Sequence, residues 1–160
     1  MGGNFAALVA QEFRKTKPPV LQLLIYPGLD LVSDTPSMHD FADAFPLTAE
    51  TVAFFMKNYL PEGADPSDPR VSPGRMQDLS GLAPALIYTS GFDMLLDQGE
   101  AYAHRLQEAG VRATYACFPS LPHGFVAFPE ATPSAEDAIR RIARETAAAL
   151  KGHMPNPGLS

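Results

Sequence analysis

The chain has 160 residues, of which 46% are hydrophobic and 19% are charged, a composition typical of one globular domain rather than a disordered segment. Its net charge of −6 argues against a nucleic-acid partner, and it contains no apolar run of the roughly 18 residues that a membrane-spanning helix needs. The single cysteine, Cys117, excludes an internal disulfide, and no Cys/His cluster has the spacing of a zinc site. We therefore expect a cytoplasmic protein that needs no metal or cofactor.

Apolar periodicity predicts that helices and strands alternate along the chain. A first helix is expected over Asn4–Phe13. A strand is expected over Val20–Tyr26, where a nearly continuous apolar run is typical of a strand buried on both faces. Further strands are predicted at Pro84–Thr89 and Ala113–Phe118, and further helices are predicted to be capped by Thr48, Asp97 and Ser134. This order predicts a three-layer α/β/α domain over residues 1–152 with about three parallel strands, followed by a flexible tail over residues 153–160.

Two side chains capable of acid–base chemistry follow neighbouring predicted strands. Asp93 comes soon after the second strand, and His123 comes soon after the third. Ligands of open parallel sheets bind at the carboxyl ends of the strands, so an aspartate and an imidazole at these positions can meet, and the carboxylate would hold one tautomer of the imidazole. The pair matches the supporting half of a nucleophile–His–Asp site, although each residue by itself is also typical of an ordinary turn.

Other candidate residues point less clearly to chemistry. The remaining histidines are predicted on the solvent face of a helix, in a polar loop and in the tail: His104, His39 and His153. Cys117 lies within a predicted strand, which is more typical of a small buried apolar side chain than of a nucleophile. Arg70 and Ser72 of the segment DPRVSP are expected to order a long polar loop, and a role in substrate binding has no support in the sequence.

Several segments, taken in order, resemble the hormone-sensitive-lipase-like branch of the α/β-hydrolase esterases. They are Gly2-Gly3-Asn4 with the helix that follows, LLIYPGLDL, the DPRVSP loop, the stretch from Leu79 to Leu106, and PHGF. The resemblance implies an α/β-hydrolase fold and a small-molecule carboxylic ester as substrate. It also implies a Ser-His-Asp mechanism in which Asp93 is the triad acid and His123 is the triad base. Met94 departs from the proline that is usual in the family, and Gln98 from a common acidic residue.

The resemblance further implies that the chain corresponds to the C-terminal half of such an esterase. In the family the nucleophilic serine lies in a Gly-Asp-Ser-Ala-Gly-Gly elbow, in which Gly2 and Gly3 match the last two positions and Met1 takes the alanine position. The serine, the oxyanion loop and the preceding strands have no counterpart in the sequence. We therefore expect a truncated α/β-hydrolase fold that is inactive alone and exposes an apolar strand edge at Val20–Tyr26.

Three hypotheses about function stay open. The chain is an esterase fragment or truncated reading frame without activity of its own, or it is half of a split esterase, or it is a non-catalytic binding module that kept the sheet. In the second case a complementary N-terminal fragment supplies the serine and pairs with Val20–Tyr26, whereas without a partner the same edge favours self-association.

Overall fold

The computed structural model describes residues 1–130 and 132–156, in which five α-helices and three strands alternate. The helices are α1 (Gly2–Phe13), α2 (Pro36–Asp40), α3 (Ala49–Tyr59), α4 (Leu96–Glu108) and α5 (Pro133–Leu150). The strands are β1 (Gln22–Ile25), β2 (Ala85–Phe92) and β3 (Ala113–Pro122), and short 3₁₀ turns occur at Pro73–Arg75 and Phe125–Ala127. None of the helices in these residues is long and apolar enough to cross a membrane.

The three strands form one parallel sheet in the order β1-β2-β3. On one face of the sheet, Leu24 and Ile87 belong to an apolar cluster that includes residues of α1 and α4. On the other face, Leu86 and Tyr88 belong to a second cluster that includes residues of α5. Because helices cover both faces, β2 is buried almost throughout. The predicted three-layer α/β/α architecture with about three parallel strands is confirmed.

The first strand is shorter than the sequence analysis predicts. Val20 follows two prolines and is 79% exposed, and pairing with β2 begins only at Gln22. At the other end Tyr26 has a φ of +38°, which is far from the extended backbone of a strand. The predicted bounds Val20–Tyr26 are therefore wrong at both ends, since an apolar run indicates burial but does not show where the hydrogen-bonded partner begins and ends.

Two predicted helix caps also differ from the structure. Asp97 does not cap its own helix, because its carboxylate accepts the N–H of Ser37 at 2.8 Å and so caps the first turn of α2. Thr132, not Ser134, caps α5 by accepting the N–H of the third residue after it at 3.1 Å. A proline at the first helical position favours this earlier start. The cap predicted for α3 is correct, since the Thr48 hydroxyl accepts the N–H of the third residue after it at 3.2 Å.

The segment predicted as a tail is in part packed against the domain. Met154 contacts the apolar cluster on the α5 side of the sheet, and the Thr114 hydroxyl donates a hydrogen bond to the carbonyl of Pro155 at 2.9 Å. Residues 157–160 of the predicted tail lie outside the described residues. The domain boundary at residue 152 therefore stays a prediction.

Candidate active site

Asp93 and His123 occupy equivalent positions directly after two paired strand ends. β2 ends at Phe92 and β3 ends at Pro122, and these two residues are partners in the parallel register. His123 Nδ1 lies 2.7 Å from Asp93 Oδ2, which is hydrogen-bond distance. The structure thus brings together the two side chains that the sequence analysis selected.

An irregularity in the pairing of β2 with β3 produces this alignment. Ser90 is the partner of Phe118, but when β2 has advanced by two residues to Phe92, β3 has advanced by four. A regular parallel ladder advances residue for residue on both strands. The two extra residues of β3 bring His123 level with Asp93, so the local bulge aligns the pair.

Gly91 permits the irregularity because it has no side chain. A Cβ atom at this position would lie 2.1 Å from the carbonyl oxygen of Pro119. The clashing atom belongs to the backbone of β3, so the strand itself would have to move to make room. The glycine of the Ser-Gly-Phe-Asp turn therefore controls the register of the two strands that carry Asp93 and His123.

The Asp93 carboxylate is buried, and both of its oxygens have partners. The residue is 1% exposed; Oδ2 faces His123, and Oδ1 accepts the N–H of Leu95 at 2.9 Å. A buried carboxylate requires such partners because it has lost its hydration. The arrangement favours the imidazole tautomer that carries its proton on Nδ1, which leaves His123 Nε2 free to accept a proton.

Aromatic rings flank the imidazole on one side. The ring of Tyr26 lies with its centroid 4.5 Å from that of His123 and tilted by 53°, and Phe125 packs edge-on against Tyr26 at 5.5 Å. Gly124 follows His123 with a φ of +79°, a left-handed conformation that glycine adopts without strain, and it turns the chain from β3 toward Phe125. The His123 side chain keeps 22% of its surface exposed.

A cavity of about 270 Å³ lies beside His123 and reaches the beginning of α1. Its lining residues are Met1, Gly2, Gly3, Leu23, Ile25, Tyr26 and His123. α1 closely approaches the segment after β1 at Gly3, where a Cβ atom would lie 2.7 Å from the Cβ of Pro27. The first N–H groups of a helix have no partner within it, and its dipole adds partial positive charge at that end. The cavity therefore has an imidazole in one part of its wall and, in another, the beginning of a helix, which stabilises negative charge.

Two buried amide side chains hold the segment that follows β1. Asn4 of α1 donates to the carbonyls of Gly28 at 2.9 Å and Val71 at 3.0 Å. Gln98 of α4 accepts the N–H of Leu29 at 2.9 Å through its side-chain oxygen. The sequence analysis assigned no such role to either residue, because the loops they bind are distant in the chain and a polar residue on a helix is usually exposed.

Ser72 and Arg70, the two candidates in the long polar loop, have different surroundings. The Ser72 hydroxyl accepts the N–H of Leu31 at 2.8 Å and donates to the carbonyl of Pro66 at 2.7 Å, so it orders the long loop as expected. Arg70 lies at the surface and forms an ion pair with Asp68 at 2.6 Å. Hydrogen bonds from Arg70 lower the pKa of Asp68 to about 2. This pair is local and lends no support to a substrate role for Arg70.

The other sequence candidates have ordinary surroundings. His39 pairs with Asp34 on the surface at 2.6 Å, and His104 lies 3.8 Å from Glu100 one helical turn earlier. Cys117 is half-buried in β3, and burial raises the pKa of its thiol. A raised pKa disfavours the thiolate, so this environment is opposite to that of a cysteine nucleophile.

Comparison with known proteins agrees with this geometry. Residues 1–127 match the model of the α/β-hydrolase fold family, and the chain belongs to that family. Among solved structures, it is similar to a hyperthermophilic esterase from the archaeon Pyrobaculum calidifontis, with a TM-score of 0.86 and 35% identity over 96% of this chain and 51% of the esterase. The resemblance noted in the sequence and the predicted partial α/β-hydrolase fold are confirmed.

The curated relatives are esterases of greater length. The carboxylic ester hydrolase LipN of Mycobacterium tuberculosis is 43% identical over 132 residues, which are 78% of this chain and 35% of LipN. The ethyl acetate hydrolase of Pseudomonas putida is 32% identical over 157 residues, which are 96% of this chain and 48% of that enzyme. The chain thus spans between a third and a half of the length of these relatives.

Proposed function

We propose that this chain supplies the acid–base half of a carboxylic ester hydrolase, with His123 as the base and Asp93 as the carboxylate that orients it. The observation that carries the proposal is the 2.7 Å hydrogen bond between Asp93 and His123, formed at two strand ends beside the cavity at the beginning of α1. The relatives named as carboxylic ester hydrolase and ethyl acetate hydrolase support an ester as the substrate class.

In the proposed reaction, His123 Nε2 takes the proton of a serine hydroxyl as that oxygen attacks the ester carbonyl. The imidazolium then gives this proton to the departing alcohol, and a water molecule repeats the cycle on the acyl-enzyme. Asp93 holds the Nδ1–H tautomer and stabilises the imidazolium while it exists. N–H groups at the beginning of α1 stabilise the negatively charged oxygen of the tetrahedral intermediate.

The proposal places the nucleophile in polypeptide outside these 160 residues. Among residues 1–130 and 132–156, no serine lies in the first five residues after the end of a strand, where a nucleophile elbow would place it. Ser90 is buried within β2, and both hydrogen bonds of the Ser72 hydroxyl serve the long loop. The resemblance to the family puts the serine immediately before α1, where it would face the cavity that His123 lines.

The proposed partner is a complementary N-terminal segment that binds at β1, whether it is joined to the chain or separate. Within the part of the chain that the structure describes, β1 pairs only with β2, so its other edge is open. An apolar groove of about 320 Å³ runs beside that edge, lined by Leu23, Ile25, Val126, Ile139, Ile142, Ala143, Thr146, Ala147 and Leu150. A further parallel strand at this edge would satisfy the open backbone groups and cover the groove.

Reconstitution with the N-terminal half of a curated relative tests the proposal. The 160-residue chain alone is expected not to hydrolyse p-nitrophenyl acetate above the background of free imidazole, and the combined halves are expected to be active. In the combined protein, Asp93→Asn should lower kcat by about 10⁴, because the wrong tautomer forms, and His123→Gln should lower it by about 10⁶. The matched control His104→Gln, at an exposed histidine of α4, should leave kcat unchanged.

A fluorophosphonate probe distinguishes the source of the nucleophile. Label is expected on the serine of the complementary half and not on this chain. Stoichiometric labelling of Ser72, Ser90 or Ser120 in the chain alone would contradict the proposal, as would full activity of the combined halves with His123→Gln.

A further inference from the structure

We propose that Tyr26 is a positioning residue for His123: Asp93 holds one atom of the imidazole, and the Tyr26 ring limits how the imidazole can tilt. The expected effect of Tyr26 on catalysis rests on the proposed function. The limit that the Tyr26 ring sets on the motion of the His123 ring can be tested without any esterase activity.

Asp93 and Tyr26 restrict the imidazole of His123 at different points. The hydrogen bond from His123 Nδ1 to Asp93 Oδ2 holds one atom of the imidazole but allows the ring to tilt about that contact. The Tyr26 ring lies 4.5 Å away at 53° and blocks tilting toward β1. Phe125 packs edge-on against Tyr26 at 5.5 Å and at 80°, so the blocking ring is itself supported. Two contacts from different strand ends therefore define the direction of Nε2.

The backbone of Tyr26 is strained. Within residues 1–130 and 132–156, it is the non-glycine residue with a positive φ, at +38°, and this region is unfavourable for a bulky side chain. Its N–H nevertheless donates to the carbonyl of Tyr88 at 2.7 Å, so the last hydrogen bond to β2 holds the strained residue in place. Backbone strain persists where the surroundings enforce it and is concentrated at functional sites. Here the strained conformation directs an aromatic ring over His123.

The Tyr26 ring also acts on His123 electrostatically. The Tyr26 phenol is neutral in the physiological range at its ordinary pKa, and burial, followed by the nearby charge of Asp93, raises that pKa further. A neutral aromatic face attracts a cation. The Tyr26 ring therefore favours the imidazolium form that His123 adopts during proton transfer, in addition to limiting its tilt.

The test is NMR spectroscopy of histidine-labelled chain, with the His123 resonances assigned by loss in His123→Gln. The ring protons of His123 should be shifted upfield relative to those of His39 and His104, because they lie near an aromatic face. Tyr26→Phe should keep this shift, and the exchange rate of the Nδ1 proton should change less than about twofold. Tyr26→Leu should remove the shift and accelerate that exchange about tenfold, the size expected for the loss of an aromatic pair, because the imidazole can then tilt away from Asp93.

Two further variants separate positioning from folding. Tyr26→Asn removes the ring but suits a left-handed backbone, so it keeps the test decisive if Tyr26→Leu does not fold. Tyr59→Leu, at a half-buried tyrosine that packs on Phe5 instead, is the matched control and should leave the His123 signals unchanged. Unchanged His123 signals in folded Tyr26→Leu or Tyr26→Asn would overturn the inference.

Activity assays on the combined halves then separate this inference from the proposed function. Tyr26→Asn should lower kcat about tenfold with little change in KM, and Tyr26→Phe should retain kcat. If the NMR changes occur but the combined halves are inactive, the positioning of His123 is supported and the proposed function fails. If the combined halves are active and Tyr26→Asn changes neither kcat nor the His123 signals, the positioning role fails and the proposed function stands.

Discussion

Two phenols on neighbouring strands, the buried Tyr88 and the half-buried Tyr115, show how side-chain surroundings control titration in this protein. The Tyr88 hydroxyl donates to Glu145 at 2.7 Å, and burial together with this carboxylate raises the pKa of Tyr88. Burial also raises the pKa of Tyr115 to about 12. Unfolded tyrosines titrate near pH 10, so above that pH the unfolded chain releases protons that the folded chain keeps. The free energy of unfolding should therefore fall as the pH rises from about 10 toward 12.

Tyr88→Phe tests this dependence. At neutral pH the variant should lose about 1 kcal/mol of the free energy of unfolding, because the hydrogen bond to Glu145 disappears. Above about pH 10 its stability should fall less steeply than that of the unaltered chain, because one group with a raised pKa is gone. Urea unfolding at a series of pH values measures both effects, with Tyr59→Phe on α3 as the control. If the free energy of unfolding of Tyr88→Phe falls above about pH 10 as steeply as that of the unaltered chain, the predicted contribution of Tyr88 is wrong.

At the scale of elements, the candidate site depends on how two strands advance past one another. Parallel strands normally keep one register, but β3 gains two residues on β2 between Ser90 and Phe92. The gain occurs where Gly91 lets the two backbones approach, and it ends at the paired residues that precede Asp93 and His123. The alignment of the pair is therefore a property of the strand pairing and not of the two side chains alone.

Gly91→Ala should disturb that pairing. A Cβ atom 2.1 Å from a backbone oxygen of β3 forces the strands apart, and overpacking of this kind lowers the free energy of unfolding by about 1–3 kcal/mol or more. The His123–Asp93 hydrogen bond should lengthen or break, and the Nδ1 proton signal should be lost. Gly2→Ala is the control, since a Cβ atom there meets nothing within 4 Å. Equal melting temperatures for the two variants would show that the close approach is unimportant.

At the scale of the whole molecule, the part of the domain that the structure describes leaves apolar surface uncovered beside β1. The helix α1, which packs against β1, keeps several large apolar side chains half-exposed, among them Phe5, Val9 and Phe13. Each large apolar side chain left exposed forfeits about 1.5–3 kcal/mol of burial. A domain has a net stability of only about 5–15 kcal/mol, so a few such losses are a large fraction of it.

The isolated chain is therefore expected to self-associate through β1, and Val20→Lys should reduce this association. A lysine two residues before β1, at a position that is exposed, discourages edge-to-edge pairing and removes no core side chain. Size-exclusion chromatography should show the change, and Phe45→Lys, at a residue that is 83% exposed in a loop, should not produce it. Addition of a complementary N-terminal segment should likewise reduce self-association, and it should make the thermal unfolding transition sharper. A monodisperse monomer with a cooperative transition and no response to the segment would instead favour a self-sufficient binding module.

The sequence by itself determined the type and order of the main elements and the two side chains of the candidate site. Apolar periodicity is a local property, so it showed all four of the longer helices and all three strands of the sheet at nearly their observed positions. The Thr48 cap is equally local. Asp93 and His123 could be selected because carboxyl ends of neighbouring parallel strands must meet at one edge of the sheet, whatever the details of packing.

Only the tertiary structure decided where strands end and which distant groups meet. β2 and β3 extend to Phe92 and Pro122, beyond the predicted ends, because pairing between the strands continues past the apolar run. Asp97 binds Ser37, which is 60 residues away in the chain, instead of its own helix. The placement of Tyr26 against His123 likewise follows from strain that the fold imposes on one residue. Such contacts depend on the relative positions of elements, which no local pattern of residue types encodes.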